Sequence, residues 1–230
     1  MEILKDDPII DQNYKPHLKM TYMEYFNRAM LFAQTNYAEQ LSKLANTHFR
    51  KITPTVFFEE YTWCVCTVGM SAKTVSKFFP KVITNLAPYY KSFWDTHNFP
   101  IKEIMDNQLH PIIRNRTKID ALWNGARIIN NGIRLFGWDK YRDHYLSDVE
   151  KLKALPLIGS VNSFQLARNI GLLNAVIGDT HLNRMTARWG FVDAEEMCKI
   201  ISNHVVLQPK VIGLILWYAG STFGTNIQEP

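Results

Sequence analysis

Cysteine is scarce in this chain, with only Cys64, Cys66 and Cys198 among 230 residues. An odd count without paired metal-ligand spacings argues against a disulfide framework, a zinc site or an iron–sulfur cluster. Cys64 and Cys66 flank Val65 in an apolar stretch and read as core thiols. Alternating apolar–polar strand patterns are nearly missing, which argues against a sheet. No apolar run reaches the ~20 residues needed to cross a bilayer; the strongest lies near 211–220. The opening residues, MEILKDD, lack the shape of a signal peptide. Low-complexity linkers and fixed-period repeats are absent as well. These absences lead us to expect a soluble, cytoplasmic chain with no membrane contact, no metal and no cofactor.

What is present suits a helical domain. Apolar residues make up 47% and aromatics 13% of the chain, enough for a sizeable core. The net charge of +5 and pI of about 9.0 permit a polyanionic partner without requiring one. Residues 1–17 are polar, contain two prolines and read as an N-terminal arm; 18–230 read as a single domain. Helical periodicity begins with Tyr22, Tyr25, Phe26, Ala29 and Ala33. Thr53-Pro54 is a helix start, and Ser71 caps a helix that Pro80 should break. The spacing predicts further helices over 83–94, 100–109, 115–131 (closed by Asn131-Gly132), 144–153, 163–170, 179–189, 193–204 and 208–219. The chain is thus predicted to be all-α, with roughly ten to twelve short helices.

Two blocks carry candidate chemistry. One is LKALPLIGSVNSFQLARNIG, a helix, a tight turn and a second helix, spanning 151–171 with its flanks. The other is VIGDTHLNRMTARWGF, a loop (174–180) ending in Asp179 and then a helix closed by Gly190. For Asp179 the plain reading is a helix N-cap. The alternative is a catalytic carboxylate, and one residue can serve in both roles.

The pair of blocks resembles the helix-hairpin-helix DNA glycosylase superfamily, which includes endonuclease III and adenine glycosylase. That family's hairpin reads Leu-Pro-Gly-apolar-Gly and is followed by a loop ending in Val-Asp-Thr-His. Leu155, Pro156, Ile158, Gly159, Asp179, Thr180, His181 and Arg184 fall on this pattern. The looser resemblance extends over roughly residues 20 to 222. Bifunctional members carry a lysine eighteen positions before the Asp; here Val161 stands there, so no Schiff base with the sugar is implied. Leu157 replaces the first hairpin glycine, at a backbone position where Gly is cheaper. The cysteine quartet of endonuclease III is missing.

The resemblance implies two packed helical subdomains with a cleft between them, and a monofunctional DNA N-glycosylase without lyase activity. It would extrude a damaged or modified base and hydrolyse its glycosidic bond through Asp179. DNA is the implied partner, bound by a monomer in a nucleoid setting. The implied DNA contacts are Leu157, Gly159, Ser160, Val161, Asn162 and Ser163 of the hairpin, with Arg114, Arg116, Lys118, His181 and Arg184. Met70 is the implied wedge, with Trp63 and Trp123 as candidates for the base pocket, although aromatics at helical spacing usually fill cores. Glu59 and Glu60 read as solvated or ion-paired. A weaker resemblance of EEYTWCVCTVGMSAKTV to phage-type pyrimidine hypermodification domains suggests a bulky modified pyrimidine. It leaves open a transferase acting on a flipped 5-hydroxymethylpyrimidine. A non-catalytic DNA-binding module is the third reading.

Overall fold

A computed structural model describes residues 20–90, 94, 102–174 and 176–225. The arm at 1–17 and the segment DTHNFP lie outside the described residues. Within them every regular element is helical. The α-helices are α1 (Tyr22–Asn46), α2 (Pro54–Thr67), α3 (Ala72–Leu86), α4 (Lys102–Ile113), α5 (Arg116–Phe136), α6 (Trp138–Tyr145), α7 (Val149–Leu152), α8 (Ser160–Asn169), α9 (Thr180–Trp189), α10 (Ala194–Ser202) and α11 (Pro209–Phe223).

Local chemistry sets many of the boundaries. Thr21 and Glu24 form a reciprocal capping box at the start of α1, with Glu24 N donating to Thr21 Oγ1 at 3.2 Å and Thr21 N to Glu24 Oε2 at 2.8 Å. Thr53 caps α2, with Pro54 at its first turn. Three boundaries depart from the sequence expectation. Pro80 lies inside α3, which continues to Leu86 because its Val75, Val82 and Leu86 stripe is buried. Gly132 does not end α5. It is buried under the Tyr141 ring, which a Cβ would approach to 2.2 Å, and the helix stops at Gly137 with φ 75°. The predicted 144–153 helix is split into the end of α6 and the short α7, which Asp148 caps.

The buried side chains form two cores. The first gathers α2 to α8 around Phe57, Phe58, Tyr61, Leu109, Ile119, Leu122 and Leu166. The second joins α1 to α9, α10 and α11 through Tyr25, Phe26, Met185, Ile201 and Leu216. The N-terminal helix therefore belongs with the C-terminal ones, and the middle of the chain folds apart from both ends. Tyr25 Oη donates to Gly224 O at 2.6 Å and Trp189 Nε1 to Met20 O at 3.2 Å, closing the second unit. Gly171 marks the crossing from the first core to the second. Its φ is 74°, and Thr47 O lies 2.4 Å from where a Cβ would sit.

Cys64, Cys66 and Cys198 are free and buried. Burial raises the Cys66 pKa to about 11 and that of Cys198 to about 12, so both are poor nucleophiles at neutral pH. Among the described residues no helix is long and apolar enough to cross a membrane.

Candidate active site and nucleic-acid interface

The hairpin is held from below by one tyrosine. Tyr61 Oη lies 2.8 Å from Ala121 O and 3.0 Å from Pro156 O, so its proton serves a carbonyl of α5 and one of the turn. Leu155 and Ile158 bury their side chains in the first core. Between them Leu157 adopts φ 59°, the left-handed conformation that glycine holds without steric cost. The chain thus keeps the hairpin backbone despite the substitution, at the cost of local strain. Gly159 is different: its φ is −89° and nothing lies within 4 Å of an added Cβ. Neither conformation nor internal packing calls for glycine there.

The turn and the end of α2 enclose an open groove of about 860 Å³, lined by Thr67, Gly69, Leu157, Gly159, Val161 and Asn162 among others. Helix α8 starts in it with no side-chain cap, leaving first-turn N–H groups directed outward. Ser160 is exposed, and Val161 is 68% exposed. Asn162 is half-buried, with Nδ2 3.5 Å from Cys64 O. Met70 follows Gly69 at the edge of this groove and is exposed.

Two of the expected DNA contacts turn inward. Lys118 is buried, and its ammonium donates to Cys66 O at 2.7 Å, satisfying the end of α2; burial lowers its pKa. It sits on the apolar face of α5 beside Ile119 and Leu122, so its charge serves packing. Ser163 is fully buried and donates to Ser160 O at 2.9 Å. Arg114, Arg116 and Arg184 are exposed. Arg114 has φ 53° and ends α4 through its N–H to His110 O. Trp63 packs edge-on against Phe79, and Trp123 lies under the Arg127 guanidinium at 5.0 Å; both are half-buried against the first core.

Asp179 is half-buried at the start of α9. Its Oδ1 accepts from His181 N and Leu182 N, both at 2.9 Å, so it is the helix N-cap. No hydrogen bond occupies Oδ2 among the described residues. The loop before it is pinned by α11, where Gly213 leaves 3.0 Å between its Cβ position and Val176. His181 packs against Gly220 of the same helix.

A polar seam links α1, α2 and α8. Lys43 Nζ of α1 donates to Glu60 Oε1 of α2 at 2.6 Å. Glu60 Oε2 accepts from Asn169 Nδ2 at 3.0 Å, and Asn169 Oδ1 accepts from Arg168 Nη2 at 3.1 Å. Burial opposes the charge on Lys43, but Glu60 outweighs it and raises the pKa. Burial lowers the Arg168 pKa, while Cys64, Tyr218, Glu60 and Asp179 act in the opposite sense. Arg168 is half-buried, and Asp179 is among the charges that favour its cationic form. Tyr218 stacks on Tyr37 with rings parallel to 5° and centroids 3.7 Å apart, and α1 kinks at Tyr37 to allow it. Burial raises the Tyr218 pKa to about 12. Arg168, Asn169, Tyr37 and Tyr218 escape a reading of the sequence, because each sits in an ordinary helical pattern. Only the doubled polar residue after LA in QLARN hints that α8 ends in a charged environment.

No known family profile matches the chain, and no curated protein sequence does. Among solved structures it resembles the crystal structure of Methanocaldococcus jannaschii 8-oxoguanine glycosylase/lyase in complex with 15mer DNA containing 8-oxoguanine. The two share 15% identity; the match covers 85% of this chain and 96% of that one, with a TM-score of 0.50. At that identity the likeness is one of fold: the chain shares the all-helical architecture of that protein.

Proposed function

We propose that this protein is a monofunctional DNA N-glycosylase that extrudes a damaged or modified base and hydrolyses its bond to the sugar. The observation that carries the reading is Asp179. It is half-buried and held by two backbone N–H groups through one oxygen, and among the described residues no hydrogen bond occupies the other. The fold shared with a DNA-bound glycosylase/lyase supports the same reading.

The chemistry needs one fixed carboxylate. As the C1′–N bond breaks, its electron pair leaves with the base and positive charge builds on the deoxyribose ring. An ionised Asp179 stabilises that charge. Water adds to C1′, and its proton passes to the carboxylate and then to the departing base or solvent. The target nucleotide must leave the stack before its C1′ can meet the acid. The hairpin would hold a backbone phosphate through the N–H groups at the start of α8. Arg114, Arg116 and Arg184 are exposed for further phosphate contacts, which makes binding salt-sensitive. With Val161 in place of a lysine, no imine with the sugar forms at that position.

The test is a screen of the full chain against genomic DNAs bearing different modified bases. Backbone breaks that appear only after mild alkali, with no borohydride-trapped adduct, are the expected result. A mass-shifted nucleoside still attached to DNA would instead indicate the transferase reading. Salt-dependent binding with no product would leave a DNA-binding module.

Gly159→Ala tests the hairpin separately. Stability should change by less than about 1 kcal/mol, since the backbone is extended and the site is open. Affinity for duplex DNA should fall about tenfold, or roughly 1.4 kcal/mol. Unfolding curves and fluorescence anisotropy measure the two quantities.

A further inference from the structure

Helix α5 has a second face that the first core does not use. Its inward side carries Ile119, Leu122, Ala126 and Ile129, all buried. On the outside, Ile128 and Leu135 stand in line, about 10 Å apart along the axis. Leu135 is 75% exposed. Phe136 follows it and is also exposed, with its ring 5.1 Å from that of Tyr145 at the end of α6. Tyr145 is exposed in turn and stacks on Tyr141 at 5.5 Å. Gly132 allows this closeness, because the Tyr141 ring lies over it. Single exposed apolar side chains are ordinary on a protein surface, but several gathered on one face mark an interaction site.

The rim of this patch is cationic. Arg127 and Arg134 run parallel to Ile128 and Leu135 at the same spacing, and both are exposed. Neither is in an ion pair among the described residues; Arg127 lies over Trp123 at 5.0 Å and reaches Asn124 Oδ1 at 3.5 Å. Residues 121–138 contain no acid. The next two, Asp139 and Asp143 of α6, are both bound to buried Arg142 at 2.8 Å. A second copy packed on this face about a two-fold axis would set arginine against arginine. Duplex DNA would meet the arginines but leave the aliphatic row uncovered. A row of apolar side chains beside a row of carboxylates satisfies both.

We propose that this face of α5, with the end of α6, is the docking surface for an acidic amphipathic helix of a partner protein. Leucine or phenylalanine side chains of the partner, one and two helical turns apart, cover Ile128, Leu135 and Phe136, while its carboxylates meet Arg127 and Arg134. The proposal stands apart from the glycosylase reading. Ala121, whose carbonyl accepts from the Tyr61 hydroxyl under the hairpin, precedes Leu135 by about 21 Å along α5. A partner seated here leaves the hairpin open.

The test is selection of phage-displayed random sixteen-residue peptides on the full chain, followed by titration of the enriched peptides by fluorescence anisotropy. Enriched sequences should carry aspartate or glutamate beside apolar residues at helical spacing. Leu135→Ser should weaken their binding at least about tenfold. Its melting temperature should stay within about 2 °C of the wild type, because the side chain lies outside the core. Arg127→Glu with Arg134→Glu should abolish binding, and peptides with lysine in place of their acids should restore it, a rescue that a damaged fold would not give. Duplex DNA should bind alongside the peptides. Failure to enrich any acidic peptide, or equal binding by Leu135→Ser, overturns the proposal. Displacement of the peptides by duplex DNA would make the face a nucleic-acid surface and overturn it too. A dimer in sedimentation that Leu135→Ser abolishes would overturn it in favour of a second copy.

Discussion

If the protein is the proposed glycosylase, Asp179→Asn should lower base release by at least about a thousandfold under single-turnover conditions, while duplex affinity and melting temperature stay close to those of the wild type. The geometry makes this substitution one that separates the cap from the charge. Both backbone hydrogen bonds go to Oδ1, and an asparagine oxygen accepts them equally well. The cap survives and only the negative charge is lost. Asp179→Ala removes both, so it should also cost about 1 kcal/mol of stability. A rate that falls in the Ala variant but not in the Asn variant would mean that the residue acts through its cap alone.

Gly171→Ala should produce the largest loss of stability. The residue combines φ 74° with a contact that cannot yield, since the Cβ would stand 2.4 Å from Thr47 O and 3.0 Å from Phe49 N, both backbone atoms. Relief requires moving the chain between α1 and α2, or the end of α8, and that is the point where the two cores are joined. A destabilisation on the order of 3 kcal/mol or more is expected. For a chain of this size it lowers the melting temperature by roughly 10 °C. Thermal unfolding followed by circular dichroism measures it. A shift of no more than about 2 °C, under 1 kcal/mol, would show that this crossing is plastic. Gly159→Ala, in contrast, meets open space.

The contrast between these glycines shows what the sequence can convey. Helix starts at Thr21, Thr53, Ser71 and Asp179 are legible, because capping is chemistry between residues two or three apart. Gly190, with φ 77° after α9, is legible for the same reason. Gly171 is legible as the end of the 163–170 helix, but its approach to the Thr47 carbonyl, like the fit of Gly132 under Tyr141, is set by tertiary packing. Pro80 reads as a breaker, but the buried face of α3 outweighs its local preference.

The candidate site divides in the same way. Asp179 and the hairpin sit in one contiguous stretch with recognisable spacing. Glu60 reads as solvated or paired and is found paired with Lys43, but also bonded to Asn169, 109 residues away in sequence. Tyr37 and Tyr218 come from helices near opposite ends of the sequence that meet only when those ends form one core. Lys118 and Ser163 mislead for a related reason. Their polarity suggests a surface, while their positions on α5 and α8 turn them toward backbone carbonyls.

The most direct measurement of the central claim needs no knowledge of the target base. It compares the affinity of the protein for a duplex holding a cationic pyrrolidine in place of one sugar with its affinity for the same duplex holding a neutral tetrahydrofuran. A carboxylate aimed at a sugar that becomes positive predicts a preference for the cation of about a hundredfold or more, lost in Asp179→Asn. Equal affinity for the two duplexes, or a preference that survives in the variant, would contradict it.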